Sequence, residues 1–287
     1  MNDALETKTI DEKTADLFSD PSLIAKRFGP KCSPLDGVGL DPLDHGGCSG
    51  VYAIVEDKVR GSGKYGTVYE ACCGSNCDFV AKWQPGSDEV IKEAKLQNIA
   101  ARNGLAPVIR DVWKCDLSGI IIIMDALRTT AKAELQSLTP EQWEVTLNYY
   151  KNLFIRRTDP KNISELLKEY DEIKRIQPSL PPFKIQVEDN DEQKDRKIRI
   201  VNTLIDLLES LHNLGISHGD SHLSNFMTND GGRYYLIDFG NSLSPTKLLY
   251  VKKDYSLLYD SLKTLADFGG YTNLKYLTKN RRLTKFF

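Results

Sequence analysis

The change of texture near Met124 constrains this chain more than any other feature. Between Val51 and Met124 the sequence reads as short β-like runs (VYAIVED, GTVYEACC, DFVAKW, GIIIIM), rich in β-branched and aromatic residues. One helix is expected to interrupt them over 88–102. Its first turn is acidic (Asp88, Glu89), Ile91, Leu96 and Ile99 recur at helical spacing, and Asn103-Gly104 closes it. After Met124 the pattern turns helical. The clearest helix spans about 197–213, where Val201, Leu204, Leu208 and Leu211 form one stripe that Asn213-Leu-Gly215 ends. Strands gathered in one part and helices in another predict an α+β fold with a β-rich lobe followed by a helical one. A short helix is also expected after Asp20 (PSLIAKRF), and the charged stretch 184–197 (KIQVEDNDEQKDRK) reads as a solvated loop.

Composition narrows the function. The chain has 287 residues and a formal net charge of -2, which argues against holding nucleic acid or anionic lipid by bulk electrostatics. Its longest aliphatic run, Ile120 to Met124, is far too short to span a bilayer, and the opening MNDALETKTIDEK is the opposite of a secretory leader. A soluble intracellular protein is therefore expected, without a nucleic-acid or membrane partner; the oligomeric state is left open. Cys72, Cys73 and Cys77 cluster, while Cys32, Cys48 and Cys115 are scattered. With four histidines and no pair of C-x-x-C units, the cysteines are expected to be reduced thiols packed as small hydrophobes.

Four elements carry chemistry, and their order matters more than any one of them. Gly61-Ser62-Gly63-Lys64-Tyr-Gly66-Thr-Val68 is a G-x-G-x-x-G-x-V loop. The runs on both sides read as strands, so it suits a hairpin whose backbone approaches phosphate oxygens better than a dinucleotide-binding turn. No G-x-x-x-x-G-K-[ST] sequence occurs. Next comes Val80-Ala81-Lys82 in a strand, followed by Glu93 on the helix. A lysine among apolar strand residues is either an edge residue or a paired one, and Glu93 and Glu89 are the competing carboxylate partners. The third element is His218-Gly-Asp220-Ser-His222-Leu-Ser-Asn225. Here Asp220 could orient or deprotonate an attacking hydroxyl, and Asn225 offers a hard oxygen ligand for Mg²⁺. The fourth, Leu236-Ile-Asp238-Phe-Gly240, delivers a carboxylate suited to Mg²⁺ at the end of a short apolar strand.

On these residues the chain resembles the protein-kinase superfamily over roughly 55–265. The resemblance implies a bilobal fold: an extension at 1–50, an N-lobe at 51–125, and a shortened C-lobe at 126–287 carrying an insertion at about 128–197. It implies that Met124 stands in the gatekeeper place and that the backbone near Asp125 and Leu127 binds adenine. ATP would be bound by these together with Gly61, Ser62, Gly63, Lys64, Gly66, Val68, Ala81 and Lys82. Asp220, Lys82 and Glu93 would be the catalytic group, Asn225 and Asp238 would hold Mg²⁺ (or Mn²⁺), and His218 and Asp254 would brace the catalytic loop.

The departures are informative too. The loop reads His-Gly-Asp, and His222 stands where eukaryotic protein kinases usually carry a lysine. That form is similar to the atypical Bud32- and RIO-type kinases and to the aminoglycoside and choline phosphotransferases. No Ala-Pro-Glu follows Gly240 and 47 residues remain after it, while 92 residues lie between Leu127 and Asp220. The resemblance implies an ATP-dependent Ser/Thr protein kinase with a protein substrate. The alternatives are a small-molecule kinase and a pseudokinase or ATPase-like assembly factor. It implies a cytoplasmic location, or the host cytoplasm or virion should the source be a large DNA virus.

Overall fold

The computed structural model describes residues 32–34, 52–63, 66–86, 88–115, 119–137, 139, 141–144, 163–179, 187–268 and 273–286. The β-like runs form strands β1 (Cys32–Pro34), β2 (Ala53–Gly63), β3 (Gly66–Cys73) and β4 (Asn76–Gln84), then helix α1 (Asp88–Arg102), then β5 (Ile109–Cys115) and β6 (Gly119–Asp125). The remainder comprises β7 (Thr129–Thr130), α2 (Ala131–Gln136), α3 (Ile163–Ile176), α4 (Asp191–Asn213), β8 (Phe226–Thr228), β9 (Tyr234–Leu236), α5 (Leu248–Phe268) and α6 (Arg281–Thr284). The architecture is α+β: an antiparallel sheet with one helix, then a mainly helical region.

The first six strands pair in the order β1-β5-β6-β4-β3-β2. Strand β6 is a continuous aliphatic run because it lies inside the sheet with both faces covered. Ile121 and Ile123 pack on one face with Tyr52, Tyr69 and Phe79, while Ile120, Ile122 and Met124 pack on the other against Val90 and Ala94 of α1. Strand β1 adds an edge beside β5, pairing Cys32 with Cys115. The helix expected at PSLIAKRF lies outside the described residues.

Helix α1 ends where its sequence asks, with Gly104 in the left-handed region (φ 69°). Its buried face is set by Val90, Ala94 and Leu96, whereas Ile99, expected on the apolar stripe, is 46% exposed. Leu96 and Ala100 belong to the core of the helical region, so α1 ties the sheet to the helices. Helix α4 carries the expected stripe, with Val201, Leu204, Leu208 and Leu211 fully buried, and packs on Tyr255, Leu258 and Leu262 of α5.

Two expectations are corrected. Helix α4 begins at Asp191, inside the stretch read as a solvated loop. The reason is a capping box: Asn190 accepts from the Gln193 N–H, and the Gln193 side chain accepts from the Asn190 N–H. Lys197 at the end of that stretch is buried and held 2.9 Å from Asp189. The second correction concerns the thiols. The tight turn at Gly74 pairs Cys73 with Asn76, which brings the flanking Cys72 and Cys77 to a Cα separation of 3.9 Å, and a disulfide joins them. Cys73 is disulfide-bonded as well. No helix among the described residues is long and apolar enough to cross a membrane.

Candidate active site

The period-2 alternation of β4 builds the first part of the site. Val80, Lys82 and Gln84 share one face, and the latter two converge on Glu93 of α1. Lys82 Nζ stands 2.6 Å from Glu93 Oε1 and 2.9 Å from Asp238 Oδ1, and Gln84 Nε2 donates to Glu93 Oε2 at 3.0 Å. The lysine and Glu93 side chains are 12% and 3% exposed, so the charges are nearly desolvated and depend on one another. Burial works to lower the Lys82 ammonium, but Glu93 and Asp238 outweigh it and hold it above its ordinary value. Burial raises Glu93 despite the lysine, whereas for Asp238 the opposing pull of Lys82 prevails and holds the carboxyl below its ordinary range.

Backbone conformation aims the second carboxylate. Among the described residues Asp238 is the one non-glycine with positive φ (63°), a conformation that tends to persist where its surroundings enforce it. Phe239 beside it is buried, with its ring 5.1 Å from that of His218. A Cβ at Gly240 would meet Glu93 Oε2 at 3.3 Å, so this glycine keeps the buried carboxylate free to face Lys82.

The loop 218–225 hangs from one buried carboxylate. Asp254 of α5, fully buried, accepts from the His218 N–H (2.8 Å) and the Gly219 N–H (2.7 Å), and its Oδ2 lies 2.9 Å from His212 Nε2. Ser221 Oγ donates to the Asp254 carbonyl at 2.6 Å. His218 Nε2 lies 2.9 Å from the Ile237 carbonyl, and burial holds its pKa below the ordinary value. Gly219 adopts φ 80°, and a Cβ there would meet the Asn241 carbonyl oxygen at 2.2 Å. That is the physical reason for His-Gly-Asp in this chain: a bulkier residue between His218 and Asp220 has neither the dihedral nor the room. Asn225 donates from Nδ2 to the Asp220 carbonyl at 2.8 Å, which leaves its Oδ1 as the acceptor atom of the amide. His222 Nε2 is 3.6 Å from Asp220 Oδ1.

A cavity of about 360 Å³ opens beside this cluster. Its wall includes Gly61, Val68, Lys82, Met124, Asp125, Leu127 and Asp238, seven of the residues the sequence singled out. Ala81 is not among them. It points to the opposite face of β4, fully buried with Phe79 and Ile123, because alternation lets only Val80 and Lys82 face the cavity. Ser62 and Gly63 are exposed at the hairpin tip, off the cavity wall, and Gly66 is fixed by the close Trp83 carbonyl (2.1 Å from a Cβ). Lys64 lies outside the described residues. Sequence reasoning missed Val80, Gln97, Met227 and Ile237. The signals for two of these were Val80's place two residues before Lys82 and Ile237's place next to Asp238. At the far end, the Asp125 and Ala126 N–H groups bond to the Val108 and Asp78 carbonyls, leaving the Leu127 N–H without an acceptor among the described residues.

No protein-family model matches the chain, and no curated protein matches it. Among solved structures it is similar to the ROP18 kinase domain, determined in complex with AMP-PNP and sucrose. The identity is 14% and the TM-score 0.42, over 81% of this chain and 62% of that one. The chain thus spans less than two thirds of that structure's length.

Proposed function

We propose that this chain is an ATP- and Mg²⁺-dependent phosphotransferase that phosphorylates Ser/Thr hydroxyls of a protein. The observation that carries the reading is Lys82, held between Glu93 and Asp238 on the wall of a cavity whose far end offers the Leu127 N–H. In this reading residues 51–125 form the nucleotide lobe and 126–287 the acceptor lobe. Lys82 binds phosphate oxygens as a point charge, Glu93 keeps its ammonium in place, and Gly61 and Val68 cover the nucleotide. Asn225 Oδ1 and the Asp238 carboxylate are hard oxygen donors that fit Mg²⁺, and they would hold it. When bound, the cation neutralises charge on the phosphate oxygens.

Asp220 orients the acceptor. The hydroxyl oxygen forms a new bond to the γ-phosphorus, the bond from that phosphorus to the bridging oxygen breaks, and ADP leaves with the electron pair. The hydroxyl proton passes to the Asp220 carboxylate. Positioning and charge neutralisation supply most of the rate.

The test is a reaction with γ-labelled ATP and Mg²⁺ in which label is counted separately on protein, free phosphate and small molecules. Label on protein Ser/Thr is expected, lost in Asp238→Asn and Lys82→Ala and reduced about 10²–10⁴-fold in Asp220→Asn. Wild-type turnover in all three variants would sink the assignment. Label found only in free phosphate would favour the ATPase reading, and label only on small molecules the small-molecule kinase.

A further inference from the structure

A second cleft, of about 420 Å³, adjoins the catalytic loop and, among the described residues, shares no lining residue with the nucleotide cavity. Lys132 and Gln136 of α2 form one wall, His222 and Ser224 the loop side, and Ser261 and Thr264 of α5 the other wall. It begins one side chain away from Asp220, since His222 lines it and lies 3.6 Å from the Asp220 carboxylate. An acceptor hydroxyl brought to Asp220 therefore leaves the rest of its molecule facing this cleft.

The chemistry of the walls is one-sided. Among the described residues none that lines the cleft is a carboxylate, and Lys132 has no ion-pair partner. The one acid of α2, Glu134, is turned elsewhere: it lies 2.9 Å from Arg196 and accepts from the Tyr234 hydroxyl. Gln136, Ser224 and Thr264 add hydrogen-bond donors. Such a cleft repels a cationic group and complements an anionic one placed at the Lys132 end, away from the negative Asp220.

Resting on the phosphotransfer reading, we infer that this cleft is the acceptor site and that it selects an acidic protein segment, a Ser or Thr with Asp or Glu within a few residues. Lys132 is the specificity determinant, acting on the acceptor's flanking charge rather than on the reacting atoms.

The experiment compares two peptides that differ only in flanks, Asp/Glu against Lys/Arg around the same Ser, with Mg-ATP and the full chain. The readout is the ratio of their kcat/KM values, which cancels any general loss of activity in a variant. The wild-type ratio is expected to favour the acidic peptide. Lys132→Glu should reduce it by about five- to tenfold, the effect of reversing one partly exposed charge, with Lys132→Gln between the two. A wild-type preference for the basic peptide, or a ratio unmoved by Lys132→Glu, would overturn the inference while leaving phosphotransfer intact. So would transfer to a small hydroxy acid but to neither peptide, or ATP hydrolysis without transfer to either. Absence of any ATP turnover that Asp238→Asn abolishes would overturn the phosphotransfer reading itself.

Discussion

Asp254→Asn is an isosteric change, yet the geometry around this residue makes it costly. Both carboxylate oxygens accept from backbone N–H groups, Oδ1 from Gly219 at 2.7 Å and Oδ2 from His218 at 2.8 Å. An amide has one acceptor oxygen, so whichever way it turns, its NH₂ faces an N–H donor. One buried N–H is left unsatisfied, at about 1–3 kcal/mol, and the surviving bond loses its charge assistance, about 1 kcal/mol more. Removing a buried charge gives back some desolvation free energy. The two backbone groups it faces are both donors, however, so that relief does not cancel the loss. The balance is roughly 2–4 kcal/mol, which for a chain of this size lowers Tm by about 5–15 °C. Because the affected N–H groups sit one and two residues before Asp220, phosphotransfer should fall while nucleotide affinity is retained. Thermal melting and binding of a fluorescent ATP analogue read these separately. A Tm within about 2 °C of wild type, or equal losses of turnover and nucleotide affinity, would refute the reasoning.

Three further predictions use the same coordinates. Gly215→Ala, at φ 73° with nothing within 4 Å of its Cβ, should cost about 1–2 kcal/mol from the dihedral alone. Gly219→Ala adds a clash with the Asn241 carbonyl and should melt well below it; equal melting temperatures would count against the close approach. Val80→Trp should block the cavity and abolish binding of the ATP analogue, whereas Ala81→Val should leave affinity intact and destabilise by about 1–3 kcal/mol through overpacking. The opposite pattern would reverse the assignment of the two faces. His218 has a folded pKa below the unfolded value of about 6.5, so the unfolded chain binds more protons as pH falls. Its contribution to stability is complete above about pH 6.5 and is lost below it, at up to about 1.4 kcal/mol per pH unit. Denaturant melts of wild type and His218→Gln from pH 7.5 to 5 should diverge in slope, and parallel curves would exclude His218 as the group responsible.

The parts legible in the sequence were those fixed by local rules. Periodicity and a terminal Asn-Gly placed α1 at its observed bounds, and the aliphatic run at Ile120–Met124 read as a strand. Lys82 with Glu93 was legible because a lysine between apolar strand residues is either at an edge or paired, and the register of the kinase resemblance favoured Glu93 over Glu89. What failed were matters of facing and register. Ala81 was assigned to the nucleotide by the Val-Ala-Ile-Lys-like resemblance, while strand alternation sends it to the other side of the sheet. Ile99 fits a helical stripe by spacing, but the stripe that counts is rotated toward Val90, Ala94 and Leu96. The start of α4 was hidden because Asp191 to Lys197 is charged, and charge says nothing against a helix whose cap is sound. Asp254 could be suspected only as the acid of the next helix, since its role as a shared acceptor depends on a fold that spans 36 residues from His218.

The Cys72–Cys77 disulfide bears on the expectation of an intracellular protein with free thiols. Oxidised cysteine pairs persist in oxidising compartments and are rare in the cytosol of most cells, so the bond and the expected location pull in different directions. The bond closes a short loop across the β3–β4 turn. For about six residues the chain-entropy argument gives roughly 2 kcal/mol, a Tm difference of about 4–8 °C. From Cys77 to Lys82 the strand runs about 16 Å, so the far end of the hairpin should not transmit the loss to the Lys82–Glu93 pair. The double variant Cys72→Ser/Cys77→Ser is therefore expected to melt lower yet bind nucleotide as tightly as wild type. In the untreated protein, alkylation under native and then denaturing conditions should leave both thiols unmodified until a reductant is added. Alkylation of Cys72 and Cys77 without reductant would instead return the chain to the reduced state that its sequence suggested.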